Sequence, residues 1–422
     1  MNKEKNKNRD KPITGWWQEN DYLSLAEYES QGGFKILREA LSGKLKPEDI
    51  IAEIEESGLE GRGGSGFNTG MKWRAARAAS ERAKTEPYFI CNADESEPGT
   101  YKDRVIIEKS PYLVLTGMIL GAWAVGAKKG YIYINNCYKS TSSIFKKSLQ
   151  MMEQAGWLGD KIGGNDFSFH IEIFEGAGSY ICGEETALIN SIEGKRGEPK
   201  HRPPYPTDKG LFGKPTVVNN VETIATIPFI LDKGASVFRG KGANEDFAGT
   251  KLFIVNGAVQ KPGIYEVPLG ISLNELINEY AGGAKSGKKI KCVQVGGSAG
   301  AVYAPADFKK PLGYSCDPGI RIGSGAVLVI DETVDLKKLL QAWSFFFRRE
   351  SCGKCVPCRE GTYQLHLLAD RINRDKLVAG DKERLMDLIF TMQYASFCPF
   401  GCFAVNGWES VLRLFPEEVF GA

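Results

Sequence analysis

Very little net charge separates this chain from neutrality. Its 422 residues carry 54 Lys and Arg against 52 Asp and Glu, so no overall field draws it to nucleic acid or to an anionic membrane. A secretory signal is missing as well, because residues 1–12 are rich in Lys, Asn and acidic side chains and hold no apolar segment. Long uncharged runs are scarce. The longest, 110–127, is flanked by lysines and interrupted by four Gly or Pro residues, and reads as a buried core helix rather than a membrane span. Nor do ten cysteines in a chain of this length make a disulfide framework. They imply a reducing compartment, in which thiolates can hold metal.

Three of those cysteines are concentrated where metal chemistry would need them. Cys352, Cys355 and Cys358 form a C-x2-C-x2-C run with Gly353 and Pro357 inside it, a spacing that brings successive sulfurs round one centre. A fourth ligand must come from elsewhere. Cys398 is the first candidate, because a proline follows it as it follows the last cysteine of bacterial iron–sulfur runs; Cys402 is its rival. A [4Fe-4S] cluster is the first reading and structural zinc the second, since zinc favours two C-x2-C pairs. Cys91, Cys137, Cys182, Cys292 and Cys316 stand alone and read as core or near-surface thiols.

The length suits two to three domains. Residues 1–20 read as a flexible arm. Helical periodicity over 23–45 and 47–57 leads into a loop with five glycines between Gly61 and Gly70, where N–H groups can converge on an anion and Arg62 and Lys72 add charge. Gly61, Gly63 and Gly66 satisfy G-x-G-x-x-G, but a helix precedes the loop where the Rossmann pattern needs a strand, and no G-K-[ST] follows it. Phe67 and Trp73 give the loop ring surfaces that a linker lacks. A strand at 87–91 then runs into the acidic turn of Asp94, Glu95 and Glu97, as a ligand crevice at a sheet's carboxyl edge would. Further strands at 130–135 and 167–174 alternate with helices, a Gly-rich bend precedes a helix from Gly183, and Asn219 and Asn220 open a helix to Leu231. The expected architecture is α/β: a Rossmann-like domain over 21–248, a β-grasp-like (ubiquitin-like) domain over 249–332 and a helical bundle over 333–422. Folding that bundle would bring the cysteine triplet and Cys398 together.

Six motifs in one order carry a resemblance: Gly61 to Phe67, Asn92 to Gly99, Tyr180 to Thr186, Val218 to Thr223, Ser351 to Arg359, and Cys398 to Gly401. Together they resemble the NADH-binding flavoprotein subunits of respiratory complex I. The resemblance implies FMN as a non-covalent cofactor, lined by Gly61, Arg62, Gly63, Gly64, Lys72, Asn92, Asp94, Glu95, Tyr180, Gly183, Glu184, Asn219 and Asn220. It places NADH against Phe67, Glu97, Glu185, Arg202 and Tyr205, with Glu97 orienting the nicotinamide end as the candidate catalytic residue. Glu185 would accept bonds from ribose hydroxyls and repel a 2′-phosphate. Cys352, Cys355, Cys358 and Cys398 would hold the [4Fe-4S] cluster. The pattern departs from the family at Asn68, Ala75, Arg202, Tyr205 and Cys402, where relatives usually carry proline, an aromatic, lysine, phenylalanine and an acidic residue; weaker stacking on adenine is the expected consequence. Implied partners are a thioredoxin-like [2Fe-2S] subunit and a large iron–sulfur subunit that holds the chain at the cytoplasmic face of the membrane, with no span and no nucleic acid of its own. The runner-up is the diaphorase subunit of a soluble NAD-linked hydrogenase or formate dehydrogenase. A zinc-stabilised nucleotide-binding regulator is the alternative outside redox chemistry.

Overall fold

The computed structural model describes residues 10–18, 21–314 and 319–421. Its chain forms two compact units. The first contains the described residues up to Ser96, with Tyr101–Leu252 and Glu266–Gly270; the second contains Glu97–Thr100, Phe253–Tyr265 and the described residues from Ile271 on. Cys316 lies outside the described residues, as do 1–9 and 19–20 of the expected arm. The described part of that arm is docked: Ile13 is buried, and the buried Glu266 carboxylate accepts the Thr14 N–H and hydroxyl, each at 2.7 Å.

In the first unit, helices α1 (Leu25–Ser30), α2 (Lys35–Leu41), α3 (Pro47–Glu56) and α4 (Thr69–Ala83) precede strand β1 (Tyr88–Ala93). The periodic stretch 23–45 is thus two short helices. Gly32 takes φ +84°, and a Cβ on Gly33 would stand 2.3 Å from the Tyr28 ring, so the chain must turn there. Beyond β1 come α5 (Lys102–Lys109), α6 (Pro111–Val125), β2 (Lys129–Asn135), α7 (Lys139–Gln154), β3 (His170–Gly176), α8 (Glu185–Ile192), α9 (Pro206–Lys209), β4 (Thr216–Asn220), α10 (Val221–Lys233) and α11 (Ala235–Arg239). The sheet runs β3-β2-β1-β4 and every pairing in it is parallel. Strand β4 stands where the sequence suggests the mouth of a helix. Val217 and Val218 pair with Phe89 and Ile90, and the helix waits until Val221.

Helix α6 is the long uncharged run, and it is a core helix. Every residue but Trp123 is buried, and α6 meets α5 at 98°. Among the described residues no single helix is long and apolar enough to cross a membrane.

The second unit holds a five-stranded sheet in the order β6-β5-β11-β7-β8. Its strands are β5 (Thr250–Gly257), which begins in the first unit, β6 (Gly263–Pro268), which ends in it, β7 (Ile290–Val295), β8 (Ala301–Tyr303) and β11 (Ala326–Asp331). β11 pairs parallel with β5 and antiparallel with β7. Helix α12 (Leu273–Glu275) continues as a wider turn to Tyr280, and β9 (Leu312–Gly313) pairs with β10 (Ile320–Arg321). Helices α13 (Leu336–Glu350), α14 (Val356–Asn373), α15 (Asp381–Ala395), α16 (Pro399–Phe403), α17 (Asn406–Leu414) and α18 (Pro416–Phe420) complete the chain. Trp408 is buried and donates to Ser344 Oγ at 2.9 Å, tying α17 to α13.

Candidate functional site

The carboxyl ends of β1 and β4 lie side by side, with Asn92 paired to Asn220. From β1 the order runs to β2 and β3 on one side, while β4 lies on the other. Ligands of open parallel sheets bind where the order reverses in this way. The glycine loop between α3 and α4 is brought to this edge. Its neck is closed by a bridge between Glu60 and Asn68, the Arg62 N–H donates to Thr223 Oγ1 at 2.9 Å, and a Cβ on Gly63 would stand 3.1 Å from the Cβ of Asn220. Gly63 and Gly64 are exposed, and Gly64 takes φ +122°, so the loop offers bare backbone there. Asn68, a departure from the family pattern, caps α4 by accepting the Met71 N–H at 2.9 Å.

Other expected flavin residues converge on the same edge. Asn92 Nδ2 donates to the Gly183 carbonyl at 2.9 Å, and its Oδ1 accepts the Asp94 N–H at 3.1 Å. Lys72 Nζ reaches both the Val218 carbonyl at 3.1 Å and Glu185 Oε2 at 3.2 Å. Tyr180 is half-buried in the turn before α8. Two expected residues serve inward instead. The Arg62 guanidinium is fully buried and donates to the Ala248 carbonyl at 2.8 Å, so the cation expected to face phosphate is a strut. Asn219 Oδ1 accepts the indole N–H of buried Trp73 at 2.8 Å.

Beneath the edge lies a buried set of charges that, apart from Glu95 and Glu222, no local sequence signal marks. Glu95 accepts the N–H groups of Asp103 at 2.9 Å and Arg104 at 3.0 Å at the start of α5. Burial, with the Asp103 charge, pushes its pKa up to about 8 against the pull of Lys102. Burial drives Lys251 down to about 8, although its ammonium stands 2.7 Å from Glu222. Glu222 is disfavoured by burial, but Lys251 and Lys102 outweigh this and hold its pKa below the usual value. Burial likewise opposes the Lys102 charge; Asp103, Glu222 and Glu95 overcome it and raise the pKa above that of a free lysine.

The residues expected at the dinucleotide are less gathered. Arg202 pairs with Glu184 and, at 3.2 Å, with Glu185. Phe67 and Tyr205 are 51% and 52% exposed, and Ala75 is exposed. Glu97 belongs to the second unit, where its carboxylate accepts Ser324 Oγ at 2.9 Å and the Ala299 N–H at 3.3 Å. A separate cleft of about 360 Å³, bordered by Ile189, Glu193, Lys195, Lys200, Pro204 and Lys209 among others, is lined by none of the expected dinucleotide residues.

In the second unit the cysteine triplet spans the turn between α13 and α14. Cys352 and Cys355 precede α14, and Cys358 sits in its first turn. Cys398 caps the start of α16, and a Cβ on Gly401 would come within 3.0 Å of the Cys358 Cβ. Burial pushes the Cys358 thiol up to about 12; its hydrogen bond with Ser351 opposes this, and the nearby Cys355, Cys398 and Cys352 add to it. These four thiols therefore share one locality. Cys402, raised mainly by burial, feels only Cys355 among them, and its thiol points toward the Ser396 carbonyl at 3.9 Å. Among the described residues, no three His, Cys, Asp or Glu side chains are placed to close on one metal ion.

Three regions of the chain match known family models. Residues 54–229 match the Nuo51 FMN-binding domain, 251–335 an SLBB domain, and 338–421 the NADH-ubiquinone oxidoreductase-F iron-sulfur binding region. The chain is 44% identical over 400 residues to the NADH-quinone oxidoreductase F subunit of Aquifex aeolicus, covering 94% of this chain and 90% of that one. It belongs to the NADH-quinone oxidoreductase F-subunit family. To the Escherichia coli member the identity is 38%, covering 93% of this chain and 88% of that one. Among solved structures, an NAD+-reducing [NiFe]-hydrogenase in its H2-reduced state superposes with a TM-score of 0.84 at 34% identity, over 96% of this chain and 68% of that one. As a member of the F-subunit family the chain is an NADH dehydrogenase subunit with FMN and a [4Fe-4S] cluster as cofactors. Both groups fit what the chain presents: bare glycine backbone at the strand-order reversal for the flavin, and the thiols of two neighbouring turns for the cluster.

Proposed function

We propose that the chain is the NADH-oxidising flavoprotein subunit of a multi-subunit NADH-quinone oxidoreductase, with each cofactor held as follows. Gly61, Gly63 and Gly64 cradle FMN against the ends of β1 and β4, where Asn92, Asp94 and Asn220 supply hydrogen bonds and Lys72 a cation. Arg62 and Asn219 act from behind, one by anchoring the loop through its own N–H and the other by locking Trp73. The observation that carries this reading is the meeting of the glycine loop with Asn220 and Thr223 at the sheet's switch point. Cys352, Cys355, Cys358 and Cys398 hold the cluster. Bound in that cradle, FMN would supply two-electron acceptance of hydride and the cluster one-electron chemistry.

Phe67 and Tyr205 offer exposed rings to adenine, and Glu185, steadied by Lys72 and Arg202, meets the ribose hydroxyls and repels a 2′-phosphate. No side chain is needed as a proton donor for hydride transfer. The SLBB region is a β-grasp-like docking domain and the C-terminal helices form a bundle around the cluster. A thioredoxin-like [2Fe-2S] subunit and a large iron–sulfur subunit bind the chain and keep it at the cytoplasmic face of the membrane.

Anaerobic purification of the native assembly tests this. Bound FMN, iron with acid-labile sulfide, and NADH-dependent reduction of ferricyanide are expected; a colourless protein lacking all three would refute the assignment. The superposition on a hydrogenase chain keeps the soluble diaphorase as the second reading. Copurifying membrane-arm subunits select the quinone enzyme, and a nickel–iron subunit selects the other.

A further inference from the structure

We infer that Lys102 and Asp103 form a buried charge pair beneath the flavin site that sets how much more tightly the protein holds reduced than oxidised FMN. The inference rests on the flavin placement proposed above. Lys102 is 1% and Asp103 5% exposed. The ammonium lies 2.6 Å from Asp103 Oδ1, 3.0 Å from Glu222 Oε2 and 3.1 Å from Asn220 Oδ1. Asp103 Oδ2 in turn accepts Asn220 Nδ2 at 2.6 Å. The pair therefore grips both ends of the Asn220 amide and fixes which way it faces, and Asn220 is the residue against which Gly63 of the glycine loop packs.

A lysine and an aspartate at the start of a helix ordinarily sit in water and do little. Here both lost their hydration, a cost that well-packed apolar side chains would avoid. What an apolar pair cannot provide is a fixed field. Hydride transfer from NADH leaves NAD+ and a reduced flavin carrying one more negative charge, so a buried ammonium beside the site favours the reduced form and a buried carboxylate opposes it. Glu222 and Lys251 close the set behind Lys102 and hold its charge in place, and the Glu222 N–H also donates to Asn220 Oδ1 at 3.0 Å.

The test is a spectroelectrochemical titration of FMN bound to the purified protein at fixed pH. For Lys102→Met the preference for reduced over oxidised FMN should fall about tenfold, a shift of about 30 mV to more negative potential for a two-electron couple. Asp103→Asn, nearly isosteric, should move the potential by a similar amount in the opposite direction. Lys102→Arg should keep the preference within about twofold of the parent. Opposite signs are what a purely structural role cannot produce: unchanged potentials, or shifts of the same sign in folded variants that retain FMN, overturn the inference. Should Lys102→Met fail to fold, Asp103→Asn decides alone, and a negative or absent shift rejects the pair. If the parent protein binds no FMN, the flavin assignment itself falls and this inference with it. If FMN is bound and the variants leave its potential in place, only the charge pair is refuted.

Discussion

A thiol can serve as a cluster ligand only where the backbone aims it, and two cysteines four residues apart are aimed differently. Cys398 stands at the cap of α16, where an extended backbone before Pro399 carries it beside Cys358. Cys402 is one helical turn further on and directs its thiol to the Ser396 carbonyl. Cys398→Ser should therefore lose the cluster's broad visible absorbance and its iron, while Cys402→Ser should keep both; iron and sulfide assays with electron paramagnetic resonance of the reduced protein measure this. Retention of a full cluster in Cys398→Ser, or its loss in Cys402→Ser, would reverse the assignment. At this scale the sequence is most readable where chemistry depends on neighbours in the chain. The triplet announces itself within seven residues, and Pro399 singles out Cys398. Lys102 is invisible there because what gives it meaning lies far away: Asn220 is 118 residues from it. Arg62 misleads for the same reason, since a cation inside a glycine loop suggests phosphate until the Ala248 carbonyl is seen to take its guanidinium.

Helix α6 shows what a whole element must satisfy to lie in the middle of a core. Its glycines are contact points. A Cβ on Gly117 would fall 2.1 Å from the Ile224 carbonyl oxygen of α10, and one on Gly121 would fall 2.5 Å from the Phe89 ring of β1. A ring can rotate, but the Ile224 carbonyl belongs to the α10 backbone and cannot swing aside, although Pro228 four residues on offers it no N–H. Gly117→Ala gains about 1 kcal/mol of helix propensity and forces apart two packed helices, an overpacking that costs roughly 3 kcal/mol. A net loss of about 2 kcal/mol is expected in urea unfolding followed by tryptophan fluorescence; unchanged or raised stability would mean that α6 and α10 do not cross this closely. The periodic helices and the apolar strands β1, β2, β5 and β7 are legible because each pattern is complete within its own segment. β4 is not. Its five residues end in two asparagines that suit a helix cap, so the capping signal masks a strand that exists only because β1 offers it a partner.

The whole molecule carries two cofactors with different claims on two units, and this predicts how it should come apart. The residues proposed for the flavin, Gly63, Asn92 and Asn220, all belong to the first unit, whereas those proposed for the cluster, Cys352, Cys355, Cys358 and Cys398, all belong to the second. A group that binds only the folded state stabilises it by mass action, by about 2.7 kcal/mol at a hundredfold excess over its dissociation constant. The cluster should do more, because its proposed ligands come from two turns separated by most of α14 and α15 and have no common site in the unfolded chain. Removal of FMN by gel filtration at high salt should lower the transition assigned to the first unit and leave the other in place. Stripping iron with a chelator under anaerobic conditions should lower the second transition and open the segment 350–403 to protease, with 54–229 still protected. Differential scanning calorimetry paired with mass spectrometry of the proteolytic fragments reads both effects. Were iron removal to expose the glycine loop, or FMN loss to expose the cysteine turns, the division of cofactors between the units would be wrong, and with it the argument that each site is built by the fold of its own unit.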